Sequence, residues 1–339
     1  MLVDAHVHCF VWEEFPPGER WAFANNWAWY RGSLNNLSGG RGSIFVPPID
    51  QKGPWRDAAY IYPRTGKKNS DPDGTMLMSY LDAMEIEKCL CMMVDWGVAW
   101  GEEAEFPVWE VNKRAGDLKK KFDGRFYFQA GVDPRRRAAV EIAETAIKEY
   151  GASGIKILAA NGIAPDDPLC FPLYDLCRSY NKTVTVHTGS GDVAGYSYPA
   201  HVWHMELPAK MFPTVQFVAA HGGGGLDGEW RDVLQMTLTI PNIAIELSEW
   251  QYPIPPNDWD PGRELEFIHV LNILRKNMGP HNILVGTDFM GGESPEYNRW
   301  WWDLFRDLPA RAKKHGYVFL QEEADMIGGD NARRIYEMG

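Results

Sequence analysis

The opening Asp4-Ala5-His6-Val7-His8 carries two imidazoles, two residues apart, within a short apolar run. In a strand, residues i and i+2 project to one face, so His6 and His8 point the same way. A single core histidine is usually a hydrogen-bonded packing residue. Two on one face need two partners, and a divalent cation serves both at once. Three further runs end in groups of the same kind: Thr185-Val186-His187, Ala219-Ala220-His221 and Gly286-Thr287-Asp288. Three imidazoles and a carboxylate around an open coordination position form a common catalytic site of zinc type. Such an ion polarises a substrate oxygen or lowers the pKa of bound water toward about 7.

Other polar residues are weaker candidates. Cys9 follows His8 but alternation turns it to the opposite side, so it is not expected to be a ligand. His201 and His204 read as the solvated face of a helix, and His269, His281 and His315 read as surface residues. Glu249 follows a strand and is a second-tier pocket residue. The glycine run 222–225 lacks the G-K-[ST] ending of a phosphate loop and suits close backbone approach beneath the site.

These groups can meet only if the segments carrying them converge. Apolar runs at 2–8, 89–94, 126–132, 154–158, 183–187, 216–221, 243–247 and 283–286 alternate with segments of helical spacing, such as Met76, Leu77, Tyr80, Leu81 and Met84. Eight βα units predict an α/β fold, a (β/α)8 TIM-type barrel whose strand ends gather at one mouth, with an open doubly wound sheet as the alternative. The chain reads as one domain over 1–339, and the irregular stretch at about 10–70 as a loop insert after strand 1. Its position predicts a lid over the mouth or a dimer-contact flap.

Composition reads as an ordinary soluble globule with a large core: 339 residues, 45% apolar and 24% charged. The net charge of −12 disfavours nucleic acid and anionic lipid, and no run is long enough for a membrane span. The start resembles no signal peptide and the five cysteines show no zinc-type pairing, so a cytoplasmic chain with reduced thiols is expected. Of 15 tryptophans, Trp12, Trp21, Trp27, Trp29, Trp55, Trp96, Trp100 and Trp109 crowd the first third.

In order and spacing, Asp4-Ala5-His6-Val7-His8, Ala220-His221-Gly222-Gly223-Gly224, Leu284-Val285-Gly286-Thr287-Asp288-Phe289 and Gly329-Asp330-Asn331-Ala332-Arg333-Arg334 resemble the amidohydrolase superfamily. The resemblance is to the amidohydrolase-related branch that includes aminocarboxymuconate-semialdehyde decarboxylase. It spans nearly the whole barrel but not 10–70 or 252–261. It implies that His6, His8, His187 and Asp288 hold one divalent ion, zinc with manganese as the alternative, and that His221 polarises substrate or activates water. Lys156 stands where two-metal members carry a carboxylated lysine. One metal is favoured, leaving Lys156 to an ion pair or a substrate-carboxylate contact.

The resemblance and the tryptophans together point to non-oxidative decarboxylation of an aromatic or unsaturated carboxylic acid, with Asp288 or His221 protonating carbon. Metal-dependent hydrolysis of an amide, ester or lactone is the alternative, with Asp288 as general base and His221 steadying the oxyanion. A non-catalytic metal-binding scaffold is the remote alternative. The expected partner is a small carboxylate, met by Arg20, Arg31, Arg41, Arg56 or Arg64 of the insert, in a chain that pairs as a homodimer.

Overall fold

Eight parallel strands run in sequence order around one sheet: β1 (Val3–Val7), β2 (Lys88–Met92), β3 (Phe126–Gly131), β4 (Gly154–Ile157), β5 (Thr183–His187), β6 (Phe217–Ala220), β7 (Ile243–Glu246) and β8 (Ile283–Leu284). The computed structural model describes residues 1–20, 70–189, 195–226, 228–251, 261–291 and 295–339. Beyond β8 the chain returns to β1 through a parallel bridge between Val7 and Phe289. The bonds Ala5 N–H to Val285 O (3.0 Å) and His8 N–H to Phe289 O (2.7 Å) reinforce it. The strands thus close into the barrel that the βα rhythm predicts.

Helices α1 (Thr75–Ala83), α2 (Val108–Lys121), α3 (Ala139–Lys148), α4 (Phe171–Ser179), α5 (Glu206–Met211), α6 (Trp230–Thr237), α7 (Pro261–Met278) and α8 (Pro295–Arg306) follow the strands in turn. Strand alternation sorts the core into two layers. Cys89, Phe128, Ile155, Ile157, Val186 and Ile245 face the helices in the large outer cluster. Val3, Ala5, Leu90, Val218, Ala244 and Leu284 form a separate inner cluster, which Ile335, Tyr336 and Met338 join from the carboxyl terminus. A register shift in β1 between Asp4 and Val7 lets Ala5 join this inner cluster while His6 and His8 also face the axis.

Two polar clasps hold the seam. The Asp4 carboxylate is buried and accepts the Thr287 N–H at 3.0 Å and the Thr287 hydroxyl at 2.6 Å. Burial raises its pKa well above the usual carboxylate range, opposed by those same bonds. Asn331, from the closing Gly329-Asp330-Asn331 motif, donates from Nδ2 to Pro280 O (2.7 Å) and Ile283 O (2.8 Å), fixing the entry to β8.

The two ends of the insert meet where Asp71 N–H donates to Phe10 O at 2.8 Å. Residues 21–69 lie outside the described residues. The lid-or-flap question lies there too, with Trp21, Trp27, Trp29, Trp55, Arg31, Arg41, Arg56 and Arg64. One expectation needs correction. His201 caps, and His204 lies in, a 3-10 turn (Val202–Met205) rather than an α-helical face, and each meets a carboxylate, Glu229 at 3.2 Å and Asp166 at 3.0 Å. No described helix is long and apolar enough to cross a membrane.

Replacing Asp4 by Ala strands the Thr287 amide and hydroxyl away from water. At about 1–3 kcal/mol for an unsatisfied buried group, Asp4→Ala should lose about 2–4 kcal/mol in urea unfolding. An unchanged midpoint would show that the clasp does not close the barrel.

Candidate active site

The ends of β1, β5, β6, β7 and β8 bring His6, His8, His187, His221, Glu246, Ser248 and Asp288 to one mouth. The sequence signal missed Glu246 and Ser248, although alternation in Ile243-Ala244-Ile245-Glu246-Leu247-Ser248 turns both inward, opposite the outward-facing isoleucines. A carboxylate and a hydroxyl on the inner face of so apolar a strand were the available sign.

Glu246 organises the imidazoles. His6 Nδ1 lies 2.9 Å from Glu246 Oε2, and an ionised carboxylate only accepts, so Nδ1 carries the proton and Nε2 keeps its lone pair. The Ser248 hydroxyl donates to Glu246 Oε2 at 2.8 Å and therefore accepts from His221 Nδ1 at 2.9 Å. His221 Nε2 is then an acceptor for His187 Nδ1 at 3.1 Å, which leaves the lone pair of His187 on Nε2. His8 Nδ1 donates to Met92 O at 2.9 Å, with the same result at its Nε2. One carboxylate and one carbonyl thus set four tautomers.

His6, His8 and Asp288 offer ligand atoms that all lie within 4.8 Å of one another. His8 Nε2 is 3.0 Å and His6 Nε2 3.3 Å from Asp288 Oδ1. Yet the buried His6 Nε2 and Asp288 Oδ1 have no hydrogen-bond partner among the described residues. Burial holds the His6 imidazole well below its ordinary range, with the nearby Lys156 and His221 adding. Burial does the same to His221, with His187 and Lys156 adding. Neutral imidazoles with inward lone pairs beside an orphaned carboxylate oxygen fit a divalent cation. His187 falls outside that grouping, its ring 4.6 Å from that of His221.

Three of these residues sit in strained backbone. His221, Glu249 and Asp288 have φ of 63°, 66° and 59°, a region costly for non-glycine residues and favoured at functional sites. Surrounding bonds hold the turns: Trp250 Nε1 donates to His221 O at 2.9 Å and Trp301 Nε1 to Gly286 O at 3.0 Å. A Cβ on Gly286 would fall 2.5 Å from Glu246 Oε1 and 2.8 Å from His6 Cβ. The glycine there admits the Glu246–His6 pair. Glu249 is half-exposed, with Oε2 3.6 Å from His221 Nδ1.

Around His8 the wall is aromatic. Phe10 stacks on its ring at 4.6 Å and 15°, and Phe15 lies 5.2 Å from Phe10 and 5.3 Å from Trp96. The tryptophans that brace the catalytic turns, Trp250 and Trp301, come from the last third of the chain rather than the first. Arg20 is paired with Glu105 at 3.1 Å and packs over Trp12. Cys9 lies in the outer cluster, its Sγ 3.2 Å from Asp71 O, on the side away from both histidines. Lys156 projects inward from β4, level with Gly131 and Thr185, and is fully buried. Burial pushes its ammonium pKa down, opposed by Asp288, Glu246 and Glu249. Burial pushes Glu246 up, opposed by Ser248, the His221 amide and Lys156.

The tautomer chain is open to a direct test. Glu246→Gln keeps the shape but can present an N–H to His6, so metal affinity, measured by competition with a chromogenic chelator, should fall about 10- to 100-fold. Unaltered affinity would remove Glu246 from its orienting role.

The sequence pattern of the amidohydrolase family matches residues 3–338. No curated protein matches the chain. Among solved structures, 5-carboxyvanillate decarboxylase from Novosphingobium aromaticivorans, complexed with manganese and 4-hydroxy-3-methoxy-5-nitrobenzoic acid, is similar with a TM-score of 0.64. That likeness has 12% identity and covers 99% of this chain and 96% of that one. The 2,6-dihydroxybenzoate decarboxylase from Rhizobium has a TM-score of 0.58 at 14% identity, over 99% of this chain and 98% of its own. A probable 2-pyrone-4,6-dicarboxylic acid hydrolase from Acinetobacter baumannii has a TM-score of 0.56 at 12% identity, over 99% of both chains. Those likenesses speak for the barrel alone, whereas the family pattern spans residues 3–338: the chain belongs to the amidohydrolase family.

Proposed function

We propose that this protein is a metal-dependent, non-oxidative decarboxylase of hydroxylated aromatic carboxylic acids. The observation that carries the reading is the pairing of a cation-binding donor set with an aromatic wall, Phe10 lying flat on the ring of His8. The activities named for two of the structural neighbours support it. We assign His6, His8, His187 and Asp288 as ligands of one divalent ion, zinc by the imidazole-rich donor set, with manganese as the alternative. When bound, that ion supplies Lewis-acid polarisation of a substrate oxygen.

The chain's own residues supply the proton traffic. His221 Nε2, kept unprotonated by the Ser248 bond to Nδ1, takes the proton of a substrate hydroxyl in place of the bond it accepts from His187 Nδ1. Asp288, whose side chain is 13% exposed where His6 is wholly buried, exchanges protons with solvent and delivers one to the ring carbon bearing the carboxylate. The bond from that carbon to the carboxylate then breaks. Its electron pair returns to the ring, carbon dioxide leaves, the ring carbon keeps the new hydrogen, and the ring oxygen takes its proton back from His221. The reading includes a cytoplasmic setting, in keeping with five buried free thiols, and a homodimer.

Elemental analysis should find one divalent ion per chain, and chelation should abolish turnover. Two ions per chain with a carboxylated lysine would overturn the single-ion assignment. Incubating the metallated protein with a panel of hydroxybenzoic acids should release carbon dioxide. Hydrolysis of lactones, esters or amides with no carbon dioxide from any acid would favour the hydrolase instead. In Asp288→Asn the histidines should retain much of the metal while turnover falls by at least about 10²-fold. Normal turnover at full occupancy would leave His221 as the principal acid–base group.

A further inference from the structure

Lys156 is a cation in a costly place. Its side chain is 1% exposed, and Nζ has no hydrogen-bond partner among the described residues. No described carboxylate stands within ion-pair distance, although Asp288, Glu246 and Glu249 act on it through space. A buried charge without a partner is retained at a cost in stability, so a structural ion pair does not account for it.

The barrel aims this charge at the reacting groups. Ile155 and Ile157 face the helices, so alternation turns Lys156 to the axis. Its register partners are Gly131, which has no side chain, and Thr185, two residues below His187. Lys156 thus sits one inward-facing layer below His187, on the floor of the site.

We infer that Lys156 Nζ is the substrate-gripping cation of this site, taking an anionic oxygen of the bound acid from below while the donor set faces it from above. This rests on the proposed reading of the site as one for aromatic acids. It also supplies what the insert arginines were expected to supply, from a rigid strand rather than a loop. A point charge with three rotatable donors suits an oxygen whose direction varies between substrates. Gripping the reacting carboxylate would hold charge on a group that must leave neutral. Catalysis is therefore better served by a grip on the neighbouring ring oxygen, and the probes below separate the two cases.

The test is calorimetric binding of 2-hydroxybenzoate, benzoate and benzamide to the metallated and metal-free forms of the parent, Lys156→Met and Lys156→Gln, with metal content and intact mass measured alongside. At least about a tenfold loss of 2-hydroxybenzoate affinity is expected in both variants, with under about twofold change for the neutral amide and unchanged metal content. Loss shared by benzoate assigns the grip to the carboxylate, and loss confined to 2-hydroxybenzoate assigns it to the ring oxygen. Either supports the inference. Equal loss for acid and amide, no loss, or a fall from two ions to one with disappearance of a carbon dioxide adduct on Lys156 would overturn it. Aliphatic dicarboxylates run in parallel separate the two readings. If the parent binds only these and the variants lose them, Lys156 keeps its role and the aromatic reading falls. If the parent binds no acid at all, both fall.

Discussion

The bond between Glu246 and His6 is the interaction on which the site depends. A carboxylate that can only accept fixes the proton on His6 Nδ1 and, through the Ser248 hydroxyl, on His221 Nδ1 and then His187 Nδ1. His6 and His187 thereby carry their lone pairs on Nε2, while that of His221 accepts from His187 Nδ1. Without that chain the three rings could share protons in several ways, and only some would bind a metal. Burial adds the second condition, because it disfavours the charged imidazole and keeps the rings neutral.

Such an arrangement has to be held open against its own strain. His221, Glu249 and Asp288 adopt a left-handed backbone at the ends of adjacent strands, at about 1–3 kcal/mol each. The opposing bonds come from elsewhere in the chain: the indoles of Trp250 and Trp301, the Asp4–Thr287 clasp, and the Asp288 N–H to His6 O bond of 2.9 Å. The turn that aims Asp288 is thus the same one that closes β8 onto β1. Barrel closure and site geometry are one structural event.

Charge completes the design. Neutral rings, the buried Glu246, the partly exposed Asp288 and the ammonium of Lys156 leave the floor of the mouth suited to an anion once a divalent ion is bound, although the whole chain carries a net charge of −12. The aromatic wall formed by Phe10 and its neighbours narrows the choice of anion toward a flat one.

Much of this was legible in the sequence. The eight apolar runs and the H-x-H spacing specify strands, faces and convergence, because alternation and barrel topology are local consequences of residue type and order. The exclusion of Cys9 from the inner face follows from the same rule. Other features came only from tertiary structure. Glu246 is 240 positions from His6, and no local rule pairs them. The left-handed turns at His221 and Asp288 run against residue preference and exist because distant groups hold them. The family resemblance left Lys156 to an ion pair or a substrate contact. Its solitude is a property of the packed interior, where burial strips away water and no described carboxylate comes close enough to replace it. Local spacing determined which groups face the axis. Only the closed barrel decided which of them share protons, which stand alone, and which backbone turns are strained to aim them.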